Sequence, residues 1–173
     1  VSNVFDYLRG VKKGEFDFVE IYSNSEFVHD YNSLEKLESV PVLGIHIGHL
    51  NKAGFHTFFL RDDQKAAWQM TVDLADFFNA PRIIVHPAME HTKITFWENL
   101  EKIDDPRILI ESMPVVSLLG GGNREFGTKL ADLQEIKKRK EICLDITKFI
   151  KACVYYKIDY KSEFILALTE LMP

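Results

Sequence analysis

The chain has 173 residues, 46% of them apolar, and a formal net charge of −5. That content suits one domain with a substantial core, and the acidic balance argues against broad non-specific nucleic-acid binding while leaving a local basic groove open. No apolar run approaches the ~20 residues of a membrane-spanning helix, no signal peptide opens the chain, and Cys143 and Cys153 make no disulfide framework.

A cytoplasmic protein in a reducing compartment is therefore expected, with Cys143 as a buried small hydrophobe. In chain order, Val4, Phe5, Leu8 and Val11 share one face of a helix predicted over residues 2–11. Residues 16–21 read as a strand with Glu20 near its carboxyl end. A polar loop over 23–32 follows, and Ser33 opens a short helix over 34–39. Val42–Ile47 is a second strand, with His46 near its end. The segment 48–61 carries His49 and His56, which lie in loop-like sequence, as do His29 and His91. Asp62 caps a helix predicted over 63–78, whose Ala66, Ala67, Met70, Leu74, Phe77 and Phe78 fall at helical spacing and should pack on a sheet.

Asn79-Ala80-Pro81 then turns the chain into Arg82-Ile83-Ile84-Val85-His86-Pro87. Three β-branched residues run straight into a histidine and a proline stops them, the pattern of a strand buried on both faces. A helix is predicted over 95–102, and Ile108–Glu111 is a strand ending on a carboxylate. The glycine-rich residues 120–123 lie several positions beyond that strand, which fits a mobile loop better than a phosphate cradle. A helix over 128–138 precedes residues 142–145, another strand ending on a carboxylate, Asp145, and helices over 148–156 and 161–171 follow. Trp68 and Trp97 fall inside helices as packing residues, and the basic run 137–140 reads as a solvated helix end.

Strands alternating with helices imply βαβ units and a parallel sheet. Successive strands end on Glu20, His46, His86, Glu111 and Asp145. Polar groups supplied by several strand ends are the arrangement of a β/α (TIM-type) barrel, whereas an open sheet gathers them at one switch point. Such barrels take ~250 residues and eight units, of which roughly five are visible. The expectation is a single, partial barrel domain over 1–173. Its open sheet edges would make the chain alone prone to self-association.

The stretches Phe16-Asp17-Phe18-Val19-Glu20-Ile21, Gly44-Ile45-His46, Ile84-Val85-His86-Pro87, Ile108-Leu109-Ile110-Glu111-Ser112-Met113-Pro114 and Cys143-Leu144-Asp145-Ile146-Thr147-Lys148 resemble the xylose isomerase-like barrel superfamily. It holds sugar isomerases and epimerases and the endonuclease IV nucleases. The resemblance implies that Glu111 is a metal ligand and, in epimerases, also a proton-transferring base; Asp145 is a second ligand. His86 and His46 would bind metal in the nuclease branch and line the substrate pocket in the sugar branch, where Glu20 also falls. This chain departs from the pattern at Lys148, where the family usually has a histidine, and at Ser112, where it has an asparagine. Lys148 could take the place of one cation as a fixed charge. The first strand and the last two strand units have no counterpart.

The leading expectation is a divalent-metal-dependent (Mn, Mg, Zn or Co) isomerase or epimerase of a sugar or sugar phosphate, with Glu111 and Lys148 catalytic. The alternatives are an endonuclease IV-like phosphodiesterase on abasic DNA and a barrel without catalysis. Each residue also has a plain structural role open to it. Glu111 could be an ion-paired carboxylate, Asp145 a helix cap, His86 and His46 hydrogen-bonded core histidines, Glu20 a partner of Arg82 or Lys148, and Lys148 a helix-surface lysine. No membrane partner is expected, and a homo-oligomer is allowed.

Overall fold

The computed structural model describes residues 17–23, 41–47, 62–87, 92–115 and 125–171. Five strands, β1 (Val19–Ser23), β2 (Val42–Ile47), β3 (Ile83–Val85), β4 (Ile108–Glu111) and β5 (Glu141–Cys143), form one sheet. Its spatial order follows the chain order and every pairing is parallel. The helices are α1 (Asp62–Phe77), α2 (Lys93–Leu100), α3 (Leu130–Lys137), α4 (Ile146–Tyr156) and α5 (Tyr160–Leu171). A sheet that never reverses its strand order has no switch point, so it winds as a barrel wall does.

Alternation along the strands divides the sheet. Ile83, Val85, Ile108, Ile110 and Ile142 belong to the apolar core, together with Leu74 and Ala75 of α1, Leu133 and Ile136 of α3 and Phe149 of α4. Their neighbours Ile84, Leu109 and Glu111 fall outside that cluster, because side chains one residue apart on a strand point to opposite faces. The β1–β2 register slips between Val19 and Glu20, so that Val19 faces Val42 while Glu20 faces Gly44. This bulge accommodates Leu43 as the extra residue and allows Val42 and Ile45, three apart, both to join the core. A side chain at Gly44 would be tight: its Cβ would lie 3.3 Å from the Arg82 carbonyl oxygen at β3's entry.

The element boundaries differ from expectation chiefly at β1. The strand covers 19–23, three residues later than predicted, and Phe18 is 51% exposed instead of being a strand residue. Tyr22 and Ser23 extend the strand because they pair with His46 and Ile47, and Ser23 Oγ also hydrogen-bonds Thr71 Oγ1 of α1 at 2.8 Å. On α1, Phe77 is 48% exposed; Thr71 and Ala75 take the buried line that the helical spacing assigned partly to Phe77. The side chains of Ala66 and Ala67, the helices expected over 2–11 and 34–39, His29, His49, His56, His91 and the glycine run at 120–122 lie outside the described residues. Trp97 is buried and Trp68 packs on the core. The basic run faces solvent, pairing Lys137 with Glu141 and Arg139 with Glu101.

A candidate metal centre at the strand ends

Three groups expected from separate strands meet on one atom. β4 delivers Glu111 at its last residue; β3 delivers His86 just past its end; β2 delivers His46 one residue before its end. His86 Nε2 lies 3.1 Å, and His46 Nε2 3.4 Å, from Oε2 of Glu111. The imidazole rings are tilted against each other with centroids 4.7 Å apart. All three side chains are buried or nearly so. The sequence of apolar residues before each one explains the placement: the hydrophobic alternation fixes each strand's face, and the polar terminal residue then has only the opposite side to occupy.

A fourth group arrives from a helix. Lys148, in the first turn of α4, donates from Nζ to the same Oε2 of Glu111. Asp145 lies two residues beyond β5 and caps α4: its Oδ1 accepts the Lys148 backbone N–H at 2.9 Å. Its Oδ2 is 3.9 Å from Lys148 Nζ. Ser112 locks these ends together. Its Oγ accepts the Asp145 N–H at 2.9 Å and lies 3.2 Å from the Asp145 carbonyl oxygen, while its own N–H bonds the Cys143 carbonyl. The sequence singled out Ser112 only as a departure from the family's usual asparagine, not for this bonding role.

Gly127 backs the site from behind. Its φ is +84°, and a Cβ there would meet Pro87 Cγ at 3.2 Å. Its carbonyl accepts the Met113 N–H, so the segment after the glycine-rich run is pinned against the ends of β3 and β4.

Charge and burial compete at Glu111. Burial alone would raise its pKa, but contacts with His46, His86 and Lys148 outweigh it and hold the carboxyl well below the usual range. At His46 burial lowers the pKa, and the hydrogen bond and charge of Glu111 reverse the sign to a net rise. Glu20, on β1, is raised mainly by desolvation; it feels His46, Glu111, Lys148 and Asp145 electrostatically, so it belongs to the same side of the sheet. Tyr22 stands beside it, its ring 5.4 Å from that of His46. Cys143 is half-buried beside this polar face, and burial followed by the Glu111 charge pushes its thiol up to about 11. The small buried hydrophobe expected at Cys143 is thus only partly buried; Cys153 is the buried one.

The donor chemistry fits a divalent ion. His46 Nδ1 lies 3.0 Å from the Ile47 carbonyl oxygen, which can only accept, so Nδ1 carries the proton. Nε2 then presents a lone pair to an ionised carboxylate unless a second proton or a cation lies between them. A tetrahedral ion with bonds of about 2.0–2.1 Å sets its donors about 3.3–3.4 Å apart. The two histidine–glutamate separations, 3.4 and 3.1 Å, are close to that. His46, His86 and Glu111 are the donor group among the described residues, all three ligand atoms lying within 4.8 Å of one another. Asp145 is not in it.

Comparison with solved structures gives the architecture a name. Endonuclease IV from Thermus thermophilus superposes with a TM-score of 0.64 at 16% identity, over 98% of this chain and 67% of that one. The fold is that of a β/α (TIM-type) barrel. A D-tagatose 3-epimerase-like protein superposes almost equally, with a TM-score of 0.63 at 15% identity, over 98% of this chain and 68% of its own. No protein-family model matches the sequence, and no curated protein does. The five described strand units are consecutive units of a partial barrel, as their polar strand ends implied.

Proposed function

We propose that this barrel is a metal-dependent phosphodiesterase of the endonuclease IV kind, acting on DNA at abasic sites. The observation that carries this reading is the convergence of His46 and His86 on one oxygen of Glu111. In a sugar-type pocket the two histidines would be free to line a cavity; here both turn their Nε2 atoms to the carboxylate. This reverses the order of preference that the acidic composition suggested.

His46, His86 and Glu111 would hold the ion through two nitrogens and one oxygen, a set that favours zinc, cobalt or manganese over magnesium. Such an ion supplies Lewis-acid activation of water and of a phosphodiester oxygen. The chain's own groups do the rest. The Ile47 carbonyl fixes the His46 ring and its tautomer. Ser112 and the Asp145 cap fix the start of α4 and with it the origin of the Lys148 side chain. The Lys148 ammonium offers a point charge to a phosphate oxygen. Tyr22 and Glu20, exposed on the same side, border the approach.

A sugar or sugar-phosphate isomerase or epimerase is the second reading. Both the net charge of −5 and the near-equal superposition on the epimerase-like structure favour it. One assay separates the two. Purified protein is incubated, with zinc, cobalt or manganese, with duplex DNA carrying one abasic site, and in parallel with ketoses and their phosphates. The expected result is strand cleavage at the abasic site that is lost on chelation and in Glu111→Gln. Epimerised sugar without cleaved DNA would replace the proposal with the second reading. If neither product forms, no metal is retained and Glu111→Gln changes no measured property, a barrel without catalysis becomes the favoured reading.

A further inference from the structure

Lys148 occupies the side of Glu111 that faces Asp145. Its Nζ donates to Glu111 Oε2 and stands 3.9 Å from Asp145 Oδ2, with its side chain only a quarter exposed. Asp145 is engaged twice by this one residue. One carboxylate oxygen caps the backbone N–H of Lys148 and the other faces its ammonium. A protonated amine has three donors and no lone pair, so it cannot be a ligand and repels any cation brought onto the same oxygen.

We propose that Lys148 is a built-in cation that fills the space between Glu111 and Asp145. The centre then takes a single divalent ion, on His46, His86 and Glu111, and Asp145 serves as a positioning residue, not a ligand. The inference rests on the metal reading above and adds to it the number of ions and the cause of that number. Two consequences follow from the charge. Lys148 weakens the hold of the ion it sits beside, and it supplies a second positive charge that is present whether or not metal is bound.

The test is titration of the apo protein with Zn²⁺, by calorimetry and by competition against a chromophoric chelator. Visible spectra of the Co²⁺ form give a readout of coordination. Wild type should bind one ion per chain, and His86→Ala should lose at least about tenfold in affinity. Lys148→Met should bind zinc about tenfold or more tightly than wild type, while Lys148→Arg, which keeps the charge, should not. Asp145→Asn should leave the Co²⁺ spectrum unchanged. Lys148→Gln repeats the comparison if methionine disturbs folding. Two ions on wild type, or an affinity in Lys148→Met that is unchanged or weaker, would overturn the inference while leaving the metal reading intact. Absence of any bound ion in wild type would overturn the metal reading and the inference together.

Discussion

On β4, Ile110 and Glu111 are adjacent and both buried, yet they belong to different parts of the molecule. Ile110 points into the apolar layer between sheet and helices, where the residues of β3, β5, α1, α3 and α4 enclose it. Glu111 points the other way, onto two histidines and a lysine. The same pair recurs at the end of β3, as Val85 and, just past it, His86. Stability and chemistry are thus carried by alternate residues of the same strands. The contrast predicts that substitutions one position apart separate the two properties.

The largest stability effect is expected on the helix side. Ile110→Ala removes a fully buried side chain from a packed layer and should cost about 2–5 kcal/mol in urea unfolding. Zinc affinity, measured on the protein that remains folded, should stay near wild type. A comparable loss of metal binding in Ile110→Ala would show that the two faces are not separable. Glu111→Gln is the mirror case: it should lose metal binding while leaving the apolar layer filled, and any unfolding cost should come from the lost ion pairs with Lys148 and the two histidines instead of from a cavity.

Gly127 tests how far the site depends on backbone placed behind it. With φ at +84° and Pro87 Cγ 3.2 Å from where a Cβ would stand, Gly127→Ala meets both backbone strain and a close contact. A cost of about 1–3 kcal/mol is expected. Because Pro87 directly follows His86, zinc affinity should fall as well. An alanine variant as stable as the parent would mean that Pro87 yields readily and the backing is soft.

A third prediction lies at the opposite end of the sheet, away from the candidate site. Asp105, just before β4, accepts hydrogen bonds from the Arg107 guanidinium, which also reaches Asp76 of α1. The Arg107 hydrogen bond outweighs burial and lowers the Asp105 pKa below its ordinary 3.8. A carboxyl whose folded pKa is depressed contributes stability that is complete above its unfolded pKa and is lost as pH falls through the folded value. Asp105→Asn should therefore destabilise at neutral pH by about 1 kcal/mol, the pair being partly exposed. The difference from wild type should shrink below about pH 4. A difference that stays constant down to about pH 2, beneath the ordinary carboxylate range, would assign the effect to packing instead of charge.

Most of this architecture was legible because apolar runs and their polar ends are local features. Val42–Ile47 and Ile108–Glu111 were placed to the residue, since each run is bounded by proline or by a charge. β1 was misplaced because Phe16 and Phe18 look like strand residues, while the pairing that extends the strand to Ser23 is supplied by β2. At the site, the residues were visible and their grouping was not. The family resemblance left His46 between a metal ligand and a pocket wall and implied Asp145 as a second ligand. Register and helix capping, which depend on neighbouring strands, put His46 beside Glu111 and give Asp145 to the start of α4. Lys148 stood out only as a departure from a family pattern; that it reaches Glu111 depends on where α4 begins.

The smallest effect on folding, and a separate effect on assembly, is expected at the outer surface of α4 and α5. Val154 is 64% and Ile165 65% exposed there, and Tyr155, Leu166 and Leu168 are also exposed. β5, which these helices follow, pairs on one side only among the described residues. An apolar surface beside an unpaired strand edge favours association. Light scattering over rising protein concentration should show self-association. The double substitution Val154→Lys with Ile165→Lys should reduce it, while changing unfolding free energy by less than about 0.5 kcal/mol per site. Association that persists unchanged in the double variant would show that this helix surface does not carry the contact. A monomer at every concentration would show that neither surface drives assembly.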